Sequence, residues 1–270
     1  MKAVILAAGA GNRVKPLSIN KPKVMVKLMG KPLLQYVIEN AAAAGLKDII
    51  IVTGQNGEQI RSYFGDGSKF GVHIQYTYQE KPVSTANAIE TAEHLLDDSF
   101  FVLNGDDVFE PELLKAMISK QDEHSILLSC KPVKETWKFG IIALDDEKVT
   151  KIVEKPKPGE EPSNLGIIGA YIMTRDIFNY IRKIPVRDQQ LEDAMQAFID
   201  DGGVVRAVRY DGFFCSFKYP WDLFKINKYL MDNLTTEISP TATISDKAVV
   251  DGNVFIGDGV KIMEGAIVKG

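Results

Sequence analysis

The sequence is poor in the side chains that often act as nucleophiles or metal ligands. Its 270 residues include two cysteines and three histidines. Cys130 and Cys215 stand among apolar and aromatic residues, so we expect reduced, buried thiols. His73, His94 and His124 show no ligand spacing, and we expect structural or surface roles for them. No Ser–His or Cys–His arrangement predicts nucleophilic catalysis.

The chain also lacks an excess of positive charge and any long apolar run. Its 32 Lys and Arg are outnumbered by 36 Asp and Glu, which gives a net charge of −4 and no sign of nucleic-acid binding. No apolar run approaches the length of a membrane span, and the first residues have no signal-peptide pattern. We therefore expect a cytoplasmic protein without nucleic-acid or membrane partners. The 45% of hydrophobic residues can form one large domain, or a domain with an appendage.

The first 23 residues combine an apolar strand, a loop of small residues and a group of cations. Residues 3–7 are apolar, and a small-residue loop follows as far as Gly11. Such a loop lets backbone N–H groups approach a ligand closely and form an anion nest. Four cations come next, Arg13, Lys15, Lys21 and Lys23. This order predicts a polyphosphate site; the alternative is a tight turn with solvated lysines.

Two other phosphate-binding patterns do not fit this loop. The P-loop pattern requires Gly, four residues and then Gly-Lys-Ser/Thr, and no such run is present here. Gly9 and Gly11 could begin a dinucleotide fingerprint, but Val14 occupies the position of its third small residue. A dinucleotide oxidoreductase is therefore a poor interpretation.

Strand-like and helix-like segments alternate through the first two-thirds of the chain. The pattern predicts strands over residues 3–7, 48–53, 72–78 and 99–103, with helices over 32–44, 58–64 and 85–96. Further strands are expected over 125–131, 149–155, 164–173 and 204–210, and a helix from about 219 to 233. We predict an α/β fold, a Rossmann-like mixed but mostly parallel sheet with helices on both faces. Ligands should then bind at the loops after Ala7, Tyr78 and Leu103.

An acidic loop follows the predicted strand over residues 99–103. It reads Asn104-Gly105-Asp106-Asp107. Two carboxylates beside a polyphosphate site indicate Mg²⁺, which prefers one or two carboxylates together with phosphate oxygens. The alternative is a turn or helix cap ahead of Pro111.

The sequence beyond residue 235 has a period of six. Aliphatic residues recur without a gap at Ile238, Ile244, Val250, Ile256, Ile262 and Val268. This hexapeptide repeat predicts a β-helix segment over residues 235–270, following a domain over 1–234. Fewer than two coils are expected, and stacked repeats need a neighbour or cap. We therefore expect a truncated form, or one capped by another subunit.

The N-terminal motif resembles the signature of the sugar-1-phosphate nucleotidyltransferases, or nucleotide-sugar pyrophosphorylases. The matching residues run from Leu6 to Arg13 and continue with Pro16-Leu17, Lys21-Pro22-Lys23 and Gly30-Lys31-Pro32; Asn12 departs from the usual Ser or Thr. The resemblance implies Mg²⁺-dependent transfer of a nucleotidyl group from UTP or dTTP to glucose 1-phosphate or N-acetylglucosamine 1-phosphate, with release of pyrophosphate. It also implies a left-handed β-helix, and a homo-oligomer formed through that segment is one option left open.

The same resemblance implies a set of site residues. For catalysis these are Arg13 at the leaving pyrophosphate and Lys23 near the α-phosphate; for nucleotide binding Leu6, Ala8, Gly9, Gly11, Gln79, Ser84 and Thr85; for the sugar phosphate Gly140, Glu154, Lys155, Asn164 and Gly169; and for the metal Asp106 and Asp222. Asp188 and Asp193 are weaker matches to a family stretch, without an assigned role. The amide of Gln79 suits the pyrimidine edge. Ser84 replaces a Gly of the family pattern, and Glu192 a Thr.

Two other functions stay open at this point. A non-catalytic relative could keep the fold as a sensor or scaffold, and Asn12 and Ser84 are its only support in the sequence. Alternatively, the chain is the nucleotidyltransferase half of a bifunctional acetyltransferase/uridylyltransferase. The sequence leaves the sugar undecided, as well as the choice between UTP and dTTP.

Overall fold

The computed structural model describes residues 1–122 and 124–270. The helices are α1 Leu33–Ala43, α2 Glu58–Phe64, α3 Thr85–Ala92, α4 Pro111–Lys120, α5 Ile177–Ile181, α6 Gln190–Asp200 and α7 Asp222–Asp232. The strands are β1 Lys2–Ala7, β2 Lys27–Leu28, β3 Lys31–Pro32, β4 Asp48–Thr53, β5 His73–Tyr78, β6 Ser99–Asn104, β7 Asp107–Phe109, β8 Ser125–Pro132, β9 Gly140–Asp145, β10 Lys148–Glu154, β11 Leu165–Thr174, β12 Val204–Arg209, β13 Phe214–Ser216, β14 Glu237–Ile238, β15 Thr243–Ile244, β16 Val249–Asp251, β17 Phe255–Ile256, β18 Lys261–Ile262 and β19 Ile267–Lys269. The predicted strands and helices are therefore present, with ends that differ by a few residues.

A nine-stranded sheet carries the fold, in the order β5-β4-β1-β6-β11-β8-β12-β10-β9. The first four strands are parallel, as predicted. The prediction of a mostly parallel sheet is wrong for the second half, because β11 is antiparallel to β6, β8 and β9, and β10 is antiparallel to β9 and β12. No α-helix stands between β8 and β11 in the described chain. Antiparallel neighbours can follow one another without a helix, whereas parallel neighbours need a crossover connection.

Two hydrophobic layers cover the sheet, one on each face. Along β1, Ala3 and Ile5 contribute to the layer that includes residues of α1, α2 and α4. Val4 contributes to the opposite layer, with residues of α3, α5 and α6. Successive side chains of a strand point to opposite faces, which explains why β1 is apolar throughout. The predicted arrangement of helices on both faces is confirmed.

A third, smaller core holds the N-terminal loop against the end of the domain. Val14 from the loop packs in a cluster with Val108, Cys215, Phe217 and Ile226. β13 pairs with β7 next to this cluster. The loop that follows β1 is therefore anchored by burial, even though Arg13 and Lys15 on either side of Val14 are exposed.

The strand register aligns three loops at one edge of the sheet. Ala7 lies opposite Thr53, and Thr53 lies opposite Tyr78. On the other side of β1, Leu6 lies opposite Asn104. Parallel strands that end at the same level bring their following loops together. The prediction that the loops after β1, β5 and β6 meet is confirmed.

The C-terminal repeat forms two stacked layers of short strands. The pairs β14–β17, β15–β18 and β16–β19 are all parallel, and each partner lies 18 residues further along the chain, as in Glu237 with Phe255. This spacing equals three hexapeptides, the period that the sequence predicted. Val254, Ile256 and Ile262 are buried between the layers. Within the described residues, no helix is both long and apolar enough to cross a membrane.

The third core provides a direct stability test. Phe217 is fully buried, whereas Phe224, seven positions later, is 80% exposed. We expect Phe217→Ala to lower the free energy of unfolding by about 3–5 kcal/mol, because it leaves a cavity. The matched control Phe224→Ala should change it by less than about 0.5 kcal/mol. Urea denaturation followed by circular dichroism measures both, and equal effects would contradict the described packing.

Candidate active site

Two cavities open at the aligned edge of the sheet, and Asn104 lines both of them. The small cavity, of about 220 Å³, is lined by Leu6, Ala7, Ala8, Gly9, Lys23, Val24, Gln79, Pro82, Val83, Ser84, Thr85, Ala88, Asn104, Asp106 and Asp188. The large cavity, of about 430 Å³, is lined by Arg13, Asn104, Asp107, Trp137, Lys138, Phe139, Gly140, Glu154, Lys155, Ile167, Gly169, Tyr171, Glu192, Phe214, Ser216, Lys218 and Tyr219. The residues that the sequence grouped as nucleotide-binding lie mainly in the small cavity, and those grouped as sugar-phosphate-binding mainly in the large one.

Gly11 is an exception among the predicted nucleotide-binding residues, because it lines neither cavity. Its φ is +63°, and a Cβ atom there would lie 3.0 Å from Cβ of Lys23 and 3.1 Å from Cβ of Ser18. Its carbonyl accepts a hydrogen bond from the Ser18 hydroxyl at 2.7 Å. Gly11 therefore lets the cationic segment fold back closely under the loop, which brings Lys23 to the small cavity.

Gln79 and Ser84 form a buried polar network at the small cavity. Gln79 is 2% exposed, and its amide nitrogen donates to Asn87 Oδ1 at 2.8 Å. Ser84 caps α3, since its Oγ accepts a hydrogen bond from the Asn87 N–H at 3.0 Å. The backbone of Ser84 is extended, with φ −156°. A conformation that any residue adopts explains how Ser stands here in place of Gly.

Lys23 and Asp106 form an ion pair in the small cavity. Their side chains are 18% and 16% exposed, so both are screened only partly by solvent. Asp106 offers a carboxylate at a site that also presents an ammonium group for phosphate. One carboxylate completed by phosphate oxygens fits the coordination that Mg²⁺ prefers. The described residues contain no cluster of three or more His, Cys, Asp or Glu side chains that could hold a metal ion by themselves.

Asp222, the second predicted metal ligand, lines neither cavity. Its Oδ2 accepts hydrogen bonds from the backbone N–H groups of Lys218 and Tyr219, at 2.8 and 2.6 Å. It therefore holds the turn that precedes α7. Only one oxygen of the carboxylate is used in this way, so its role as a metal ligand stays a prediction.

Two glycines shape the wall of the large cavity. A Cβ atom on Gly169 would lie 1.9 Å from Asp107 Oδ2 and 2.4 Å from Asn104 Nδ2, and one on Gly140 would lie 2.8 Å from Glu154 Oε2. Gly169 leaves room for the hydrogen bond between the Asn104 amide and the Asp107 carboxylate, at 2.9 Å. The close approach of polar side chains gives these two glycines a steric reason, and their contact with the sugar phosphate stays a prediction.

Asn164, also predicted to face the sugar, lines neither cavity and is exposed. It stands just before β11, where its backbone carbonyl accepts a hydrogen bond from the Val133 N–H at 2.9 Å. The structure therefore does not bring Asn164 together with the other predicted residues. Asp193, similarly, lines neither cavity and pairs with Arg187 at 2.6 Å.

Lys155 and Asp188 connect the two cavities. Lys155 lines the large one and Asp188 the small one, and their charged atoms lie 2.9 Å apart. Lys155 also lies 3.1 Å from Glu154 Oε1. Burial by itself lowers the pKa of Lys155, but the hydrogen bond with Asp188 and the charge of Glu154 outweigh it and raise that pKa. Lys155 is therefore a fixed positive charge at the junction of the cavities.

Three carboxyl groups of the large cavity have a pKa above the usual value for their residue type. Burial, followed by the charge of Asp106, raises the pKa of Asp107 to about 6. Burial also raises the pKa of Glu154, and burial together with the charge of Glu154 raises that of Glu192 to about 8. Asp107 and Glu192 were missing from the predicted set. The Asp-Asp pair and the replacement of Thr at Glu192 were the available signals.

Several aromatic and cationic residues of the large cavity were also missed. The Lys218 ammonium group lies 4.5 Å from the centre of the Phe139 ring and donates to the Lys138 carbonyl at 3.3 Å. The Arg13 guanidinium lies 5.8 Å from the centre of the Tyr219 ring. Arg13 was predicted from the N-terminal motif, whereas Phe139, Lys218 and Tyr219 come from distant segments and were not among the predicted site residues.

Comparison with known proteins supports one family. Residues 2–230 match the family model described as nucleotidyl transferase. The chain is 30% identical to the low-salt glycan biosynthesis nucleotidyltransferase Agl11 of Haloferax volcanii, over 96% of this chain and 73% of that protein. It is 33% identical to the bifunctional protein GlmU of Methanocaldococcus jannaschii, over 96% of this chain and 61% of the relative. The chain thus spans less than two-thirds of the length of that bifunctional relative.

Related enzymes and solved structures agree with this result. A glucose-1-phosphate thymidylyltransferase of Streptomyces antibioticus is 29% identical over 99% of this chain and 76% of its own length. The structure of a UDP-glucose pyrophosphorylase complexed with UDP-glucose superposes with a TM-score of 0.76 and 26% identity, over 86% of this chain and 98% of that one. The small-residue loop, the shared edge of the sheet and the two adjoining cavities agree with this result, and the chain belongs to the nucleotidyl transferase family.

Proposed function

We propose that the protein transfers a nucleotidyl group from UTP or dTTP to a sugar 1-phosphate and releases pyrophosphate. One observation carries the proposal: two cavities adjoin at Asn104, with Lys23 in the small one and Lys155 in the large one. A nucleotide and a sugar phosphate bound there would meet between two cations. Relatives named as glucose-1-phosphate thymidylyltransferase and UDP-glucose pyrophosphorylase support the same reaction.

The reaction asks little covalent chemistry of the side chains. A phosphate oxygen of the sugar 1-phosphate forms a bond to the α-phosphorus of the triphosphate. The bond from the α-phosphorus to the oxygen that bridges to the β-phosphate breaks, and pyrophosphate leaves with both electrons. Since a phosphate monoester is already a nucleophile, catalysis consists of alignment and charge stabilisation. This agrees with the scarcity of His and Cys in the chain.

The cations have separate roles in this proposal. Lys23 stabilises the charge that develops at the α-phosphate, and Lys155 binds the phosphate of the sugar. Arg13 is exposed and lines the large cavity, beside Tyr219. Its fork of N–H donors suits a phosphate group at the junction; its contact with the leaving pyrophosphate is a prediction from the resemblance alone.

The neutral parts of the substrates are assigned to the remaining predicted residues. We assign the pyrimidine base to Gln79 and to the turn at Ser84 and Thr85, which line the small cavity. Glu154 accepts hydrogen bonds from sugar hydroxyls beside Gly140 in the large cavity.

We assign the metal site to Asp106, with Asp222 as the predicted second ligand. Mg²⁺, when bound, draws charge from the phosphate oxygens. The chain itself fixes the position of Asp106 through the preceding residue. The backbone N–H of Gly105 donates a hydrogen bond to the Leu6 carbonyl at 2.9 Å. This hydrogen bond ties the acidic loop to β1, the strand that precedes the small-residue loop.

A bifunctional protein is the second candidate. The three parallel strand pairs, each offset by 18 residues, support a β-helix segment over residues 235–270, which we propose to be left-handed. Relatives named bifunctional protein GlmU continue beyond the length of this chain. An acetyltransferase half and assembly into a homo-oligomer through this segment both belong to that proposal.

The proposed reaction predicts release of pyrophosphate in a matrix of substrates with Mg²⁺. UTP, dTTP, GTP and ATP should each be paired with glucose, N-acetylglucosamine, glucosamine and mannose 1-phosphates, and phosphate counted after pyrophosphatase treatment. We expect the pyrimidine triphosphates to react faster, because an amide such as Gln79 matches the imide edge of uracil and thymine. If a folded protein released no pyrophosphate in any combination, the result would favour a non-catalytic scaffold.

Lys23 is the residue whose substitution should lower kcat most. We expect Lys23→Met to lower kcat by about a hundredfold or more, since it removes a charge that acts in the transition state. Lys115 on α4 is the matched control, because it is exposed and pairs only with the neighbouring Glu112 among the described residues. Lys115→Met should leave kcat within about twofold of the unmodified enzyme. A decrease in kcat of less than about threefold in Lys23→Met would contradict the assignment.

A further inference from the structure

The wall of the large cavity carries a pair of carboxylates that the proposed reaction does not fully use. Glu154 ends β10, and Glu192 lies in the first turn of α6. They converge on Gly140, where a Cβ atom would lie 2.8 Å from Glu154 Oε2 and 3.6 Å from Glu192 Cγ. Both side chains line the same cavity. The absent side chain of Gly140 therefore makes room for Glu154, and Glu192 lies next to the same space.

Lys155 and Lys218 are the cations that face this pair. Lys155 lies 3.1 Å from Glu154 Oε1, but it also pairs with Asp188, and a bound sugar phosphate would compete for the same ammonium group. Among the described residues, the carboxylate of Glu192 makes no hydrogen bond to another side chain. Burial makes the ionised form of a carboxylate costly. Glu192 therefore keeps a proton in the empty site, and a cationic group between the two carboxyl groups would replace that proton.

A second observation points to a ligand in the same cavity. Asp107 is 1% exposed and lines the large cavity, and its Oδ1 has no hydrogen-bond partner in the described structure. Its other oxygen accepts from Asn104. Buried polar atoms are almost always paired, so a missing donor is expected in this cavity. Sugar hydroxyls alone would donate hydrogen bonds, but they would not neutralise the charge of Glu154 and of an ionised Glu192.

We propose, resting on the reaction proposed above, that the sugar 1-phosphate carries a free amino group and that Glu192 and Glu154 bind its ammonium form. The ligand class is a hexosamine 1-phosphate without an N-acetyl group. The phosphate meets Lys155, and the ammonium group meets the two carboxylates beside Gly140. Glu192 is the residue that determines specificity, because it adds the second negative charge to the wall.

The groups around Glu192 predict that binding of an ammonium group releases a proton from this residue. The charged or titratable groups that face Glu192 are Glu154, Lys155, Asp188 and Tyr171. Burial and the charge of Glu154 hold its pKa near 8, so the empty site keeps a proton at about pH 7. A bound ammonium group favours the ionised carboxylate, and the proton is then released. A neutral sugar gives no such release.

The test compares glucosamine 1-phosphate and its positional isomers with glucose and N-acetylglucosamine 1-phosphates, each with UTP or dTTP. We expect at least one hexosamine 1-phosphate to exceed both neutral sugars in kcat/KM by about tenfold or more. Glu192→Gln should remove this preference while leaving kcat/KM for glucose 1-phosphate within about threefold. Equal losses for charged and neutral sugars, or a preference of the unmodified enzyme for neutral ones, would overturn the proposal.

Calorimetry separates this inference from the reaction itself. Binding of the hexosamine 1-phosphates in two buffers of different ionisation enthalpy should report proton release, which Glu192→Gln abolishes. That release would support the inference even if no pyrophosphate forms, a result that would count against the reaction alone. Binding without proton release, or tighter binding of glucose 1-phosphate, would overturn it. Glu112→Gln, at an exposed position of α4, is the matched control. Thermal unfolding confirms that each variant is folded.

Discussion

The parallel pairing of β1 with β4 and β6 is the constraint on which the site depends. It places the ends of β1, β5 and β6 at one edge, with Ala7, Thr53 and Tyr78 in one row. The small-residue loop, the amide of Gln79 and the acidic loop at Asp106 meet because those strands end together. A slip of one residue would exchange the side chains that β1 presents to the two hydrophobic layers, so the packing of these layers and the site depend on the same register.

The distribution of charge around this edge follows from burial. Lys23 and Lys155 are each held by a carboxylate, Asp106 in one cavity and Asp188 across the junction. The cations are thus positioned before any phosphate arrives, which is the condition for stabilising charge without reorganisation. Glu154 and Glu192 stand in the opposite situation, since burial makes their ionised form costly. In the large cavity, a position that suits an anion at Lys155 therefore lies directly beside carboxyl groups that suit a donor or a cation.

Supporting residues explain why the family pattern can change at some positions. Ser84 caps α3 with its hydroxyl and donates to the Oε1 atom of Gln190 at 2.7 Å. Gln190 in turn donates to the Ile181 carbonyl at 3.1 Å. This buried chain ties the base side of the small cavity to α6, which carries Glu192. A residue that departs from the usual Gly here contributes a contact between the two cavities, so it does not indicate a lost function.

The sequence by itself determined the local features of this protein. Apolar runs and caps predicted the strands and helices, the period of six predicted the C-terminal pairing, and the motif around Gly9 and Lys23 predicted the family. These signals lie within short windows, where backbone sterics and periodicity act. Only the tertiary structure decided that β10 and β11 run antiparallel to their neighbours, that Asn164 lines neither cavity and that Gly169 leaves room for the Asn104–Asp107 contact. It also brought Glu192 beside Glu154, because burial and charge depend on segments far apart in the chain, and no local pattern records which of them will meet.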